Sequence, residues 1–437
     1  MSAYPSWAGY PAHAPERSTS YNWLPKRLPA ADAPTSLLAY GNGRTYGDGC
    51  QNQGGHLLDC RGLDHFLSFD AQTGILRAEA GVLLRDVLAH CLPKGWFLPV
   101  TPGTQYVTLG GAVANDVHGK NHHAAGSFGH HLRSLALLRS EEGLVHCSAQ
   151  QNQELFKASI GGLGLTGLIL WVELELKPVK SSHMAVHTQR FANLDEFYQL
   201  SKAADQSHEY TVAWVDCLAQ ANKLGRGVFY SANHADQPVL QAADSKPKKA
   251  GLSVPFKPPL SLINRLSLSA FNRLYYHYPR PEKQLVHYQP YFYPLDGIRN
   301  WNRIYGPKGF LQYQCVVPPS HEQEAISEIL QQIAASGTGS FLAVLKRFAD
   351  LPTAGMLSFP RAGTTLALDF PNRGERTFRL LDSLDSIVKQ AGGAIYPAKD
   401  ARMRPELFHT AYPELEAFRA FKDPAFSSSL WRRLMES

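Results

Sequence analysis

The stretch Leu37-Leu38-Ala39-Tyr40-Gly41-Asn42-Gly43-Arg44-Thr45-Tyr46-Gly47-Asp48-Gly49 runs from a short apolar segment into one with glycine at four of nine positions. The first part has the composition of a buried strand and the second that of a turn. Glycine adopts positive φ without steric cost, so the backbone N–H groups of such a turn can converge into a nest for a phosphate-type anion. Arg44 adds a positive charge. No Gly-Lys-Ser/Thr follows and G-x-G-x-x-G is absent, so this is neither a P-loop nor a dinucleotide turn. Taken alone, it is equally an ordinary glycine turn.

Outward from this stretch the same alternation continues. Residues 56–59 and 75–80 read as strands, and 83–91 as a helix ended by Pro93-Lys94-Gly95. Residues 135–138 and 144–146 flank Glu141-Glu142-Gly143 as a hairpin. A short helix at 153–158 precedes a strand at 168–176. Residues 36–180 therefore form an α+β unit rich in glycine turns. Residues 1–35 carry Pro, Ser and Ala without periodicity and read as loops. Further on, strands are expected at 184–187 and 210–216 and a helix near 194–204. The order strand 310–317, helix 322–335, strands 341–346 and 365–369, helix 378–391, strand 394–396 predicts an antiparallel sheet covered by helices.

The chain has 437 residues, 44% hydrophobic and 18% charged. At about 150 residues per domain this length suits two or three domains. The composition excludes disordered, collagenous and small disulfide-stapled classes. Lys and Arg number 43 against 37 Asp and Glu, a net charge of +6, too mild for a nucleic-acid binder. The positive charge is uneven. Residues 245–280 hold Lys246, Lys248, Lys249, Lys257, Arg265, Arg273 and Arg280 and no acid, more than the net charge of the whole chain. Prolines break its first half, and 262–276 has amphipathic helical spacing. The six cysteines, Cys50, Cys60, Cys91, Cys147, Cys217 and Cys315, have no C-x-x-C or metal-ligand spacing and read as free thiols of a reducing compartment. No signal peptide or transmembrane segment is expected, because residues 1–20 lack a basic-then-apolar pattern and the apolar run at 158–172 is short and glycine-rich.

Two further stretches carry chemistry. Pro102-Gly103-Thr104, Thr108-Leu109-Gly110-Gly111-Ala112 and the run from Asn115 to His123 are built of small residues that let a flat ligand lie against the backbone. His118, His122 and His123 lack H-E-x-x-H and an acidic partner, so no metal is expected. Gly161-Gly162-Leu163-Gly164-Leu165-Thr166-Gly167 contains the string G-x-G-x-x-G, but it follows a helix and opens a strand, the reverse of a dinucleotide turn. The three glycine stretches lie about 50 residues apart inside one domain, a joint pattern more specific than its parts.

Together with the run Asp116 to Gly129, Gly309-Phe310-Leu311-Gln312-Tyr313-Gln314, and Tyr396-Pro397-Ala398-Lys399-Asp400-Ala401-Arg402, these motifs resemble the FAD-linked oxidases of the vanillyl-alcohol oxidase / p-cresol methylhydroxylase family. The resemblance runs from about Leu37 to the C-terminus, and is closest to members that oxidise a lipid-linked pentose. It implies a two-lobed FAD-binding domain of the p-cresol methylhydroxylase type at 1–181, a substrate domain at 182–393 and a return to the first domain at 394–437. It places FAD against Asn42, Gly43, Arg44, Thr45, Tyr46, Gly47, Asp48, Gly103, Thr108, Leu109, Gly110, Gly111, Asn115, His118, Ile169 and Tyr396. Relatives that bond flavin covalently carry histidine where Arg44 stands, so FAD is expected to be non-covalent. Lys399, His118 and Tyr46 are implied in catalysis, and Lys120, Gln312, Gln314, Lys346 and Trp214 in substrate binding. Gln312 and Gln314, two apart on a strand, share a face. Without the resemblance they read as a solvated sheet face, Lys399 as an ion pair with Asp400 and Trp214 as a core aromatic.

The implied reaction is oxidation of the 2′-hydroxyl of a polyprenyl-phosphoryl ribose to the 2-keto sugar. This is the first half of an epimerisation to arabinose used in cell-envelope glycan synthesis, with a separate NAD(P)H-dependent reductase as partner. The expected location is cytoplasmic, and the basic run at 245–280 makes that segment a candidate flank for peripheral membrane and phosphate contact. Family members carry an Asn–Ile–Cys run where this chain has Thr365-Leu366-Ala367, so the pocket cysteine is absent; Ala343 also replaces an asparagine, and the helix between Trp23 and Leu37 is shortened. The alternatives are an FAD oxidase of a soluble polyol or aldonolactone, and a flavin-free binder of lipids or polyanions that retains the fold.

Overall fold

The computed structural model describes residues 4–29, 35–236 and 251–436. Lys246, Lys248 and Lys249 lie outside the described residues. The glycine loop follows Leu37–Tyr40, an edge strand of a three-stranded parallel sheet with His56–Asp59 at its centre and Arg17–Ser20 on the far side. A five-stranded antiparallel sheet completes the first lobe in the order Phe66–Asp70, Ile75–Glu79, Leu168–Glu175, Leu132–Arg139, Gly143–Ser148. The third glycine stretch does pass from the helix Gln153–Ser159 into the strand Leu168–Glu175.

The N-terminal segment differs from its reading as loops. Arg17–Ser20 is a strand, Trp7 N–H donates to the Thr45 carbonyl at 2.9 Å, and the Tyr40 hydroxyl donates to the Pro5 carbonyl at 2.8 Å. These are main-chain and single-ring attachments, which leave no apolar period in the sequence.

The second lobe is an eight-stranded sheet in which every neighbouring pair is antiparallel. Its order is Lys283–His287, His183–Phe191, Gly227–His234, Tyr210–Val215, Ala343–Phe348, Gly363–Pro371, Phe310–Val317, Ala394–Ile395. Successive side chains of a strand alternate between faces. On one face Leu311, Tyr313, Cys315, Ala343, Leu345, Leu366 and Leu368 join one hydrophobic core with the helices Leu194–Ala204, Glu322–Ser336 and Glu375–Gln390. Those helices bury apolar residues at helical spacing: Ile326, Ile329, Leu330 and Ile333 in one, Leu381, Leu384 and Val388 in another. On the other face Val212, Trp214, Gln312, Gln314, Val344, Lys346, Thr365 and Ala367 line a cavity. Ala343 is therefore a core residue and not part of the cavity wall.

The chain leaves this sheet after Ile395 and returns to the first lobe. Leu37 N–H donates to the Ala425 carbonyl at 2.7 Å, and the helix Ser429–Met435 brings Arg433 to the glycine loop. Arg433 donates to both carboxylate oxygens of Asp48, at 2.8 and 2.9 Å, and to Asp400 at 2.8 Å. Both carboxylates are buried. Gly47 sits in the same knot, where a Cβ would lie 1.6 Å from the Asp400 carbonyl oxygen. Among the described residues no helix is long and apolar enough to cross a membrane, and all six cysteines are free.

Removing Arg433 leaves two buried carboxylates side by side without their cation. Arg433→Met is expected to lower unfolding stability by about 3 kcal/mol or more, with Arg433→Lys intermediate, as measured by chemical denaturation. An unchanged stability for Arg433→Met would remove this ion pair from the account of how the C-terminus holds the glycine loop.

Candidate active site

The cavity measures about 820 Å³. That lies in the upper part of the range for small-molecule and cofactor sites, about 300–1,000 Å³. Its first wall is the glycine loop. Among the described residues the backbone N–H groups of Asn42, Gly43, Arg44 and Thr45 have no protein acceptor. Four consecutive unpaired donors at a cavity wall are available to an anion bound there. Gly43 has φ +57, and a Cβ there would meet the Tyr40 hydroxyl at 2.2 Å, so the loop's path requires glycine. The Arg44 guanidinium stacks 4.4 Å from the Trp7 ring and 5.6 Å from that of Tyr106. Asn42 Nδ2 donates to the Tyr106 carbonyl at 2.8 Å and ties this loop to the second wall.

That second wall contains Gly103, Thr108, Gly110, Gly111 and Asn115. Thr108 caps the helix Leu109–Ala114, its Oγ1 accepting from Gly111 N–H at 3.1 Å. Asn115 is fixed twice, by its Nδ2 donating to the Gly111 carbonyl at 2.9 Å and by its own carbonyl accepting from the Tyr396 hydroxyl at 2.8 Å. Leu163, Gly164, Gly167 and Ile169 supply a third wall, so the third glycine stretch reaches the cavity although it is no dinucleotide turn.

The polar end lies where the sheet meets the run after Asn115. His118 is buried and both its ring nitrogens are engaged: Lys346 Nζ is 3.0 Å from Nδ1 and Gln314 Nε2 is 2.8 Å from Nε2. A neutral imidazole accepts at only one nitrogen. With the Lys346 ammonium on Nδ1, the ring proton sits on Nε2 and meets the Gln314 amide oxygen once that amide is turned end for end. Burial, followed by Lys346 and His122, holds His118 well below the usual histidine range, so it stays neutral. Lys346 also donates to the Gly119 carbonyl at 3.0 Å, and Lys120 donates to the Tyr291 carbonyl and lies 4.2 Å from the Tyr291 ring. Burial brings Lys120 down to about 7. Lys346 is also brought to about 7, by burial and then by the nearby Lys120 and Lys399.

Lys399 is different. Its ammonium stands 4.0 Å above the Tyr46 ring and hydrogen-bonds to no protein group among the described residues. Asp400, its neighbour in sequence, is taken by Arg433, so the surface ion pair is not formed. Burial lowers Lys399 to about 8, opposed by Asp369. Asp369 is wholly buried. It accepts from Gln312 Nε2 at 2.7 Å and from the Tyr305 hydroxyl at 3.4 Å, and burial pushes it up to about 7. Trp214 lines the cavity while its Nε1 donates to the Phe341 carbonyl at 2.9 Å.

Three of the expected cofactor residues do not line the cavity. Leu109 is a core side chain, Asp48 is paired with Arg433, and Gly47 is packed against Asp400. Their part is to shape the walls from behind. The remaining expected site residues all face the cavity. Sequence reasoning missed Asp369, Tyr305, Tyr291 and Trp7. Asp369 had a legible signal, a carboxylate between Leu368 and Phe370 inside an apolar strand; the aromatics had none. The three histidines diverge: His122 packs 4.5 Å from Phe348, and His123 Nε2 bonds the His208 carbonyl. Among the described residues no group of three His, Cys, Asp or Glu side chains is placed to hold a metal ion.

These features fit FAD. Four unpaired N–H donors beside Arg44 suit its pyrophosphate. The backbone-rich walls suit a flat ring system, and the lysines at the far end suit negative charge.

Residues 29–148 match the family described as an FAD binding domain. The chain is similar to the decaprenylphosphoryl-beta-D-ribose oxidase of Mycolicibacterium smegmatis, at 37% identity over 418 residues, covering 93% of this chain and 90% of the relative. It is similar to an uncharacterized protein of Streptomyces coelicolor, at 36% identity over 370 residues, covering 81% of this chain and all of that one. A shorter likeness joins it to the Delta(24)-sterol reductase of Homo sapiens, at 29% identity over 118 residues, or 27% and 23% of the two chains.

The buried lysines make stability depend on pH. In the fold Lys120, Lys346 and Lys399 release protons near 7 to 8, against the ordinary lysine value of about 10.5 in the unfolded chain. Between these values the unfolded state binds more protons, so their contribution to stability grows as pH rises. In FAD-stripped protein, Lys346→Met is expected to be most stabilising relative to the parent at pH 7 and below, and to lose that advantage progressively as pH rises toward the unfolded-chain value of about 10.5, followed by thermal unfolding. A pH-independent difference would mean that Lys346 is not titrating in this range.

Proposed function

The chain belongs to the FAD-linked oxidoreductase family that includes decaprenylphosphoryl-beta-D-ribose oxidase, and from that premise we propose that it oxidises the 2′-hydroxyl of a polyprenyl-phosphoryl ribose to the 2-keto sugar. It is an FAD-dependent enzyme acting on CH–OH groups. The observation that carries the substrate reading is one polar cavity end where Gln312, Gln314, Lys346, Lys120 and Lys399 converge.

When bound, FAD supplies the two-electron acceptor for the hydride that leaves the carbinol carbon. The protein supplies orientation, charge and a place for the hydroxyl proton. Gln312 and Gln314 are held by Asp369 and His118, which fixes both amides on the cavity wall within reach of sugar hydroxyls. Lys120 and Lys346 are anchored on backbone carbonyls and serve as fixed cations for phosphate. Lys399 has an unengaged nitrogen, and burial brings its ammonium down to about 8, so it accepts the hydroxyl proton. Asp369 beside it stabilises the resulting ammonium. His118, unable to hold charge, positions Gln314. Arg44 cannot form the flavin bond that histidine makes at its position, so the cofactor is held non-covalently by the loop. The keto product requires a separate NAD(P)H-dependent reductase to complete the inversion.

Acid precipitation is expected to leave the yellow colour in the supernatant; colour retained in the pellet would contradict non-covalent binding. Under anaerobic conditions polyprenyl-phosphoryl ribose should bleach the flavin, while free alditols should not. Bleaching by alditols alone would replace this reading with that of a soluble-polyol oxidase. Lys399→Met should remain yellow but reduce its flavin at least about 100-fold more slowly. Unchanged reduction would exclude Lys399 as the proton acceptor.

A further inference from the structure

Among the described residues, seven of the thirteen exposed large apolar side chains lie in one segment. Leu260 is 78% exposed, Leu266 83% and Leu274 72%, with Leu252, Phe256, Leu262 and Tyr278 also open. All lie between residues 251 and 278. Isolated exposed leucines need no explanation, but a contiguous set beside a cavity does.

The helix Arg265–His277 explains the arrangement. Asn264 caps it, its Oδ1 accepting from Leu266 and Ser267 N–H at 3.0 and 3.1 Å. Its inner face buries Leu268 and Asn272, and Asn272 Nδ2 donates to Asp216 at 2.7 Å. Its outer face carries Leu266, Ala270 and Leu274 at four-residue spacing, with Arg265 and Arg273 exposed beside them. Ahead of it, the segment with Leu252, Phe256, Lys257 and Leu260 is held to the cavity rim. Leu252 and Ser253 pair with Ile298 and Arg299, and Arg303 NH1 donates to the carbonyls of Val254 and Pro255 at 3.0 and 2.7 Å. Ile298, Arg299 and, from the helix, Tyr275 all line the cavity. The apolar patch is thus the outside of the cavity's own rim.

Charge decides its occupant. Among residues 251–280 Lys257, Arg265, Arg273 and Arg280 meet no acidic residue. Exposed leucine and phenylalanine interspersed with Lys and Arg is the composition of a surface that lies in the headgroup region of an anionic bilayer. We propose that residues 251–278 dock on an anionic lipid surface, so that the cavity rim opens at the membrane and a lipid-linked sugar phosphate enters with its chain still in the bilayer. The lipid-linked substrate rests on the reading given under Proposed function; the membrane docking rests on the patch itself.

The test uses the full-length, FAD-loaded protein with Phe256, Leu260, Leu266 and Leu274 all changed to Ser; none lines the cavity. Co-sedimentation is measured with vesicles of phosphatidylcholine alone and with vesicles of phosphatidylcholine mixed with anionic phosphatidylglycerol. The parent should sediment with the anionic vesicles, and the variant should bind at least about tenfold more weakly. Turnover of a long-chain substrate embedded in vesicles should fall by a similar factor, while a short-chain water-soluble analogue is turned over equally by both. Parent protein that ignores anionic vesicles, a variant that sediments like the parent, or a parent dimer that the variant dissolves would each overturn the proposal, the last by assigning the patch to a second copy. If neither protein oxidises the analogue, the substrate reading fails, while the sedimentation result still decides the docking.

Discussion

A strand sends alternate side chains to opposite faces, and this molecule depends on an eight-stranded sheet whose two faces are chemically different. Leu311, Tyr313, Leu345, Leu366 and Leu368 bury against helices, while Gln312, Gln314, Lys346, Thr365 and Ala367 from the same strands face a cavity. A one-residue slip in any of these strands would exchange the two sets. The helical core therefore holds the register that places the polar site. The first lobe closes the cavity with three glycine-rich walls, and Arg433 clamps the loop that offers unpaired N–H donors.

The electrostatics follow from burial. Three lysines facing one cavity are held near 7 to 8, because removal from water disfavours the ammonium form. An anion entering the cavity favours that form again. The free protein thus stores a capacity for positive charge that flavin and substrate phosphate draw on. Within this set the partners differentiate the roles. Lys120 and Lys346 are fixed by carbonyls, Lys346 adds to the burial that keeps His118 neutral, and Lys399 alone keeps its nitrogen open above Tyr46.

Much of this was legible in the sequence. The strand and helix pattern after residue 310 gave an antiparallel sheet with helices, because period-2 and period-3.6 apolar spacings are strong there. The i, i+2 pairing of Gln312 and Gln314 put them on one face. What stayed hidden was held by other means. Residues 4–20 attach through backbone bonds and single aromatic contacts, which leave no periodic trace. Gly47, Asp48 and Leu109 sit in motifs that touch the cavity, yet their side chains or Cβ positions turn away from it, a distinction that spacing alone does not carry. Ala343 stands in a strand beside the site but on its core face. The basic run at 245–280 was visible as charge, whereas the exposure of its leucines was not, because amphipathic spacing does not say whether an apolar face is covered.

The central claim is that this cavity removes hydride from C2′ of a lipid-linked ribose. The most direct measurement is anaerobic stopped-flow flavin reduction with polyprenyl-phosphoryl ribose deuterated singly at C1′, C2′ or C3′. The account predicts a slowing of several-fold for deuterium at C2′ and none for the other two. A primary effect at C1′ or C3′, or equal rates for all three with reduction still rate-limiting, would contradict it.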